Sequence, residues 1–185
     1  MRRYVLALLP VIALTGCAKP LEVGSITDIK PINGAKGIDV HEHRRQAGQQ
    51  GVPEFAGDQL VEVRSYANQE GSGDVEFAGA TCTVSAAEFS ATATTPAKVR
   101  VPLYRGQSST LAVMCASPGF KNRSITLAPD DVTRQQRYST GSGAGVLGLV
   151  AAVAVDGLSD NTKNEWRYPL ARMVLEKDTG SQKTH

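Results

Sequence analysis

Cysteine is the most reactive side chain in this 185-residue chain, and it occurs three times, at 17, 82 and 115. Cys17 follows Leu14-Thr15-Gly16, the end of a short apolar run that begins just after Arg2 and Arg3. A basic start, a short apolar stretch and small residues before a cut describe a secretory signal peptide. The run Val5–Leu14 is broken by Pro10 and falls short of the ~20 apolar residues a membrane span needs. Other candidate groups are sparse. His41-Glu42-His43 is the only histidine cluster, and on a strand its two imidazoles would share one side. A tight metal site wants three or four ligands, so the cluster reads as a solvated segment and no metal is expected. Asp130-Asp131 is placed to cap a short helix. Ser108, Ser109 and Ser139 have no general base near them in the chain, and no G-x-S-x-G elbow occurs. No catalytic set emerges, and an enzyme is not expected.

Leu14-Thr15-Gly16-Cys17 resembles the lipobox of bacterial lipoproteins. The resemblance implies cleavage between Gly16 and Cys17, diacylation of the Cys17 sulfur and acylation of the new amine. Two or more acyl chains anchor a protein stably where one does not. With Ala18 and not aspartate in the next position, the expected address is the outer membrane, with the domain facing the periplasm. Removing residues 1–16 takes Arg2 and Arg3 from the 20 basic residues and leaves 18 against 18 acids, over 169 residues. A neutral exported domain offers no electrostatic case for nucleic acid. Export also bears on the other thiols. With Cys17 lipidated, Cys82 and Cys115 remain, and an oxidising compartment predicts that they pair.

The elements that would position these groups are mostly strands. Residues 17–57 contain nine glycines and prolines and few large apolar residues, which predicts a lipidated cysteine followed by a flexible tether. From residue 58 the pattern turns to period two. Leu60–Tyr66, Val75–Phe77, Ala80–Val84, Glu88–Ala93, Lys98–Tyr104, Thr110–Cys115 and Ser124–Leu127 read as short strands separated by turn clusters. Pro102 lacks an amide donor, which places its strand at an edge. The expected fold is mainly β, a small immunoglobulin-like sandwich over 58–134.

Gly79-Ala80-Thr81-Cys82-Thr83-Val84, Thr95-Pro96-Ala97, the strands at 98–103 and 110–115, and Gly119-Phe120 together resemble a PEGA-like domain over about 75–127. That family is a small β-sandwich of exported bacterial proteins, and the resemblance implies a Cys82–Cys115 bridge across the sandwich. It carries no assigned chemistry.

Residues 135–176 hold a glycine-rich helical segment and a final strand, and 177–185 a polar tail. Gly143-Ala144-Gly145-Val146-Leu147-Gly148 matches G-x-G-x-x-G formally, but no buried strand precedes it, so neither a nucleotide nor any other cofactor is expected. Gly141, Gly145, Gly148 and Ala152 instead form a small-residue stripe suited to close helix packing, either on the chain's own sandwich or on a membrane, a copy or a partner. A helix over Ala144–Val155 would be about 18 Å long, too short to span a bilayer. Trp166-Arg167-Tyr168-Pro169 and the strand after it resemble the C-terminal part of some PEGA-like lipoproteins. Trp166 and Tyr168 read as core or staple residues, with a ligand platform as the alternative. The expected function is that of a non-catalytic interaction or scaffold module held to the membrane, with an envelope protein or a second copy as partner. The alternative is a glycan- or peptidoglycan-binding module that uses the face around Trp166 and Tyr168.

Overall fold

The structure is a computed structural model that describes residues 19–32, 34–69, 73–136, 160 and 163–178. Cys17, Ser139, the stripe Gly141, Gly145, Gly148 and Ala152, and the helix expected over Ala144–Val155 lie outside the described residues. The chain is mainly β and folds as a small sandwich of two five-stranded sheets. Among the described residues no helix is long and apolar enough to cross a membrane.

The first sheet is built on β3 (Phe55–Gln69), a 15-residue strand. Its odd positions Val61, Val63, Ser65 and Ala67 are buried, as period-two alternation requires. Beside it lies β7 (Ala97–Tyr104), with β1 (Ser25–Asp28) on the far side of β7 and β12 (Ala171–Leu175) parallel to β3 on the other flank. β7 covers β3 only as far as Val63; from Ser65 onward the hairpin strand β4 (Gly73–Phe77) takes its place. The handover leaves backbone groups that neither ladder serves. Buried Ser65 and Thr95 serve them: Ser65 Oγ–H donates to the Phe77 carbonyl (2.6 Å), Thr95 Oγ–H to Ser65 Oγ (2.6 Å), and Thr95 Oγ1 accepts the Ala80 N–H (3.1 Å). Thr95-Pro96 is a cis peptide.

The second sheet runs β2 (Lys30–Pro31), β6 (Phe89–Thr94), β5 (Thr81–Ser85), β8 (Leu111–Ala116), β9 (Arg123–Leu127), antiparallel throughout. Phe89, Val84, Leu111 and Val113 point inward and meet Val61, Val99, Val101, Met173 and Leu175 of the first sheet in one core. A two-stranded ribbon, β10 (Asp130–Asp131) with β11 (Trp166–Arg167), joins the end of this sheet to the last strand. Cys82 and Cys115 are directly opposite on β5 and β8 and are disulfide-bonded, with Cα atoms 4.1 Å apart. The pairing is as expected but the placement is not: the bond staples two neighbours of one sheet, not one sheet to the other.

Two further expectations need correction. The segment 17–57 is not a flexible tether from Lys19 onward. β1 pairs in parallel with β7, Ile29 alone then crosses the edge of the sandwich, and β2 joins β6 in the other sheet. Val40 is wholly buried, and Asp39 leads into a short helix, α1 (Glu42–Gln46). Backbone pairing to waiting strand edges, with Ile29 and Val40 as the apolar pins, orders a segment whose composition lacks a continuous apolar face. β7 is also an inner strand. Pro102 is tolerated because β1 stops at Arg100, so no β1 residue faces Pro102 to call for its amide.

The outer face of the first sheet is tiled with ion pairs. Arg100 lies between Asp28 (3.0 Å) and Asp58 (2.8 Å), Arg64 between Glu62 and Glu76, and Arg172 reaches Asp74 (2.9 Å) while lying 4.2 Å over the Tyr66 ring. Arg64 and Glu76 also clamp the backbone of Leu21, through its carbonyl and its N–H (both 3.0 Å). The chain is thus fixed to the sheet from Leu21 on.

Candidate functional site

The loops at the Tyr104 end of β7 enclose the best-formed site among the described residues. Its floor is Tyr104, buried at the last position of β7. The Tyr104 hydroxyl donates to Asp39 Oδ1 (3.3 Å) and accepts the Val40 N–H (3.1 Å). Asp39 also accepts the His41 N–H (3.2 Å) and pairs with Arg45, which in turn donates to the Pro53 carbonyl (2.8 Å). This network seats α1 and the 47–54 loop on the end of the sandwich. Burial pushes the Tyr104 phenol up to about 12 and Tyr168 higher still, with the Glu88 carboxylate adding to both, so each remains a neutral hydroxyl.

Between α1 and the strands lies a cavity of about 290 Å³, lined by His41, Arg44, Glu88, Tyr104, Gln107 and Ser109 among others. A wider groove of about 540 Å³, lined by Glu54, Arg105 and Lys163, shares Gly51, Pro53 and Gln107 with it, so the two adjoin. His41 is 5% exposed, its ring is 4.9 Å from that of Tyr104, and its Nδ1 has no hydrogen-bond partner. Desolvation lowers its pKa below the usual imidazole value, opposed by Glu88 and assisted by Arg44 and His43. His41 is therefore neutral at neutral pH. Ser109 Oγ donates to Glu88 Oε2 (3.3 Å), and Arg44 Nε to Gln49 Oε1 (2.8 Å).

The sequence-derived candidates among the described residues each have a definite place. His41 and His43 do not share a face: they straddle the start of α1, one buried and one exposed. Among the described residues no three His, Cys, Asp or Glu side chains are grouped to hold a metal. Asp131 does cap the turn after it, its Oδ1 accepting the Arg134 N–H (2.8 Å), and its Oδ2 holds Asn164 (2.6 Å). Ser108 is tied to the backbone of Tyr104 through both its hydroxyl functions (3.0 and 3.2 Å).

Tyr168 is a core residue, as the core-or-staple reading expects, and does not lie on an exposed face. It is 5% exposed, its hydroxyl donates to the Ser109 carbonyl (2.5 Å), and Gln59 clasps its backbone N–H and carbonyl (both 2.8 Å). Trp166 is partly buried, with Nε1 sealed inside and unpartnered. The cavity residues Arg44, Glu88, Tyr104 and Gln107 carry no local signal in the sequence. They come from three separate stretches and converge only when α1 docks on Tyr104. No protein family, curated protein or solved structure matches the chain.

Proposed function

We propose that this protein is a lipid-anchored envelope lipoprotein of the PEGA-like type, a non-catalytic binding module that presents the α1 groove away from the membrane. The lipobox-like Leu14-Thr15-Gly16-Cys17 supports an acylated Cys17 and an outer-membrane, periplasm-facing address. The observation that carries the orientation is the clamp on Leu21 by Arg64 and Glu76. Only four residue steps separate Cys17 from Leu21, a reach of at most ~14 Å. The anchor is a short leash, and the clamped end of the sandwich stands close to the bilayer. Gly24 bonds Pro96 at that same end, whereas the groove lies at Tyr104, about 23 Å further along β7 at ~3.3 Å per residue. Loops on the far end of a rigid sandwich are a usual place for binding residues.

The test combines fatty-acid labelling with site-specific photocrosslinking in intact cells. Label should enter the wild-type chain and not Cys17→Ser, and a photoreactive residue at Gln107 should trap an envelope partner that the same residue at Val75 does not. A Cys17→Ser protein that stays membrane-bound would sink the anchor, and equal capture at both positions would sink the groove. A cell-wall-binding module is the second reading, supported by the polar lining of the same groove now that Tyr168 is placed in the core. Cosedimentation with purified cell wall, abolished by Arg105→Glu together with Lys163→Glu, is its expected signature.

A further inference from the structure

The cavity beneath α1 holds two opposite charges that join no ion pair among the described residues. Arg44 and Glu88 both line it and both are half-buried, yet among the described residues neither joins an ion pair. Elsewhere on the domain Arg45, Arg64, Arg100, Arg105 and Arg172 each have a carboxylate within 4.0 Å. Among the described residues the Glu88 carboxylate has one side-chain hydrogen-bond partner, the hydroxyl of Ser109, and the Arg44 guanidinium has only Gln49. His41 lines the same cavity, buried and with an unpartnered ring nitrogen. The cavity therefore offers one cationic and one anionic contact on a wall otherwise made of neutral donors and acceptors, Gln107 and the Tyr104 phenol among them. Its volume of about 290 Å³ lies just below the ~300–1,000 Å³ range of drug-sized ligand sites, which suits a smaller ligand.

We propose that this cavity binds an amino-acid-sized zwitterion, a free α-amino acid or a free-ended dipeptide, with its carboxylate on Arg44 and its ammonium on Glu88. A guanidinium presents several donors to a carboxylate in a fixed plane, and charge-assisted hydrogen bonds of this kind are the strong ones. An anion alone would leave Glu88 facing it, and a cation alone would face Arg44. Only a ligand with both charges answers both walls. The assignment stands on the cavity and not on the lipid anchor, so it survives if Cys17 proves unmodified.

Titration calorimetry on the full chain in detergent tests it with alanine, alanyl-alanine, N-acetyl-alanine and alanine amide, in both chiral forms. Binding of alanine or alanyl-alanine is expected, whichever is tighter fixing the ligand's length. Capping either end should weaken binding about tenfold or more, as the loss of one charge-assisted bond implies. Glu88→Gln should remove the penalty for N-acetylation alone, and Arg44→Gln the penalty for amidation alone. Circular dichroism and a urea transition check that each variant is folded. Should one fail to fold, the capped ligands still discriminate on the wild-type chain. Absence of binding at millimolar ligand, or equal binding of free and capped ligands, overturns the proposal.

Discussion

Every polar group of Tyr168 is committed, and that makes it a sensitive residue. Tyr168→Phe keeps the ring but deletes the hydrogen bond to the Ser109 carbonyl. A loss of about 1–2 kcal/mol is expected, visible in urea unfolding as a lower midpoint at unchanged slope. His41 has the opposite character, a buried base without a partner for Nδ1. Its folded pKa is lowered from 6.5, so the unfolded chain takes up its proton first as pH falls. Stability from this residue is complete above about pH 6.5 and is lost as pH drops through the depressed folded value. His41→Phe should therefore flatten the stability profile between about pH 7.5 and 5 relative to wild type, and identical slopes would refute the assignment. At the alkaline end the sign reverses. Tyr104 is held protonated to about 12, above its ordinary 10, so its contribution is complete below pH 10 and is lost as pH rises toward about 12.

At the scale of elements, the segment that composition reads as a tether is a structural strap. Ile29 is the one residue between β1 in the first sheet and β2 in the second, and it is 7% exposed, whereas Ile32 is 64% exposed. Ile29→Ala should cost about 2–4 kcal/mol and Ile32→Ala less than about 0.5. Calorimetric melting of the two variants compares them directly; equal melting points would restore the tether. The disulfide staples β5 to β8 over a sequence separation of 33. Chain-entropy arguments put its contribution at about 3.5 kcal/mol. Reduction should lower the urea midpoint by a corresponding amount while the far-UV spectrum of folded chain persists, because core residues of both sheets flank the bond. The strand series was legible in the sequence because side chains that alternate in type alternate in burial, as in Leu60–Tyr66 and Lys98–Val101. The strap was not legible, because it is held by main-chain bonds to β6 and β7 that any residue type can make.

At the scale of the molecule, the clamp at Leu21 bears on the proposed anchor. If Cys17 is acylated as proposed, the clamped end of the sandwich would lie next to the bilayer and the groove would face outward. Energy transfer from a fluorophore near Val75 to an acceptor dye in the membrane should exceed that from one at Gln107. Inserting a long Gly/Ser stretch after Lys19 should reduce the difference, and equal transfer from the two positions in the wild-type chain would contradict the orientation. The groove itself belongs to this scale. His41, Arg44, Glu88, Gln107 and Ser109 come from α1, the approach to β6 and the turn after β7. Ser109 and the histidine pair are placed by contacts between separate loops: Ser109 holds Glu88, and His41 is buried beside Tyr104.

Local pattern alone determined the mainly β class, the approximate strand positions, the pairing of Cys82 with Cys115 and the cap at Asp131, since each depends on period-two burial, on redox chemistry or on contacts within a few residues. Tertiary structure alone decided that the disulfide lies within one sheet, that residues 19–32 and 34–57 are part of the sandwich and that Arg44 and Glu88 share a cavity. Those outcomes depend on which strand edges remain open and on which loops meet at one end of the sandwich. Both are set by the closing of the whole chain and leave no mark on its neighbouring residues.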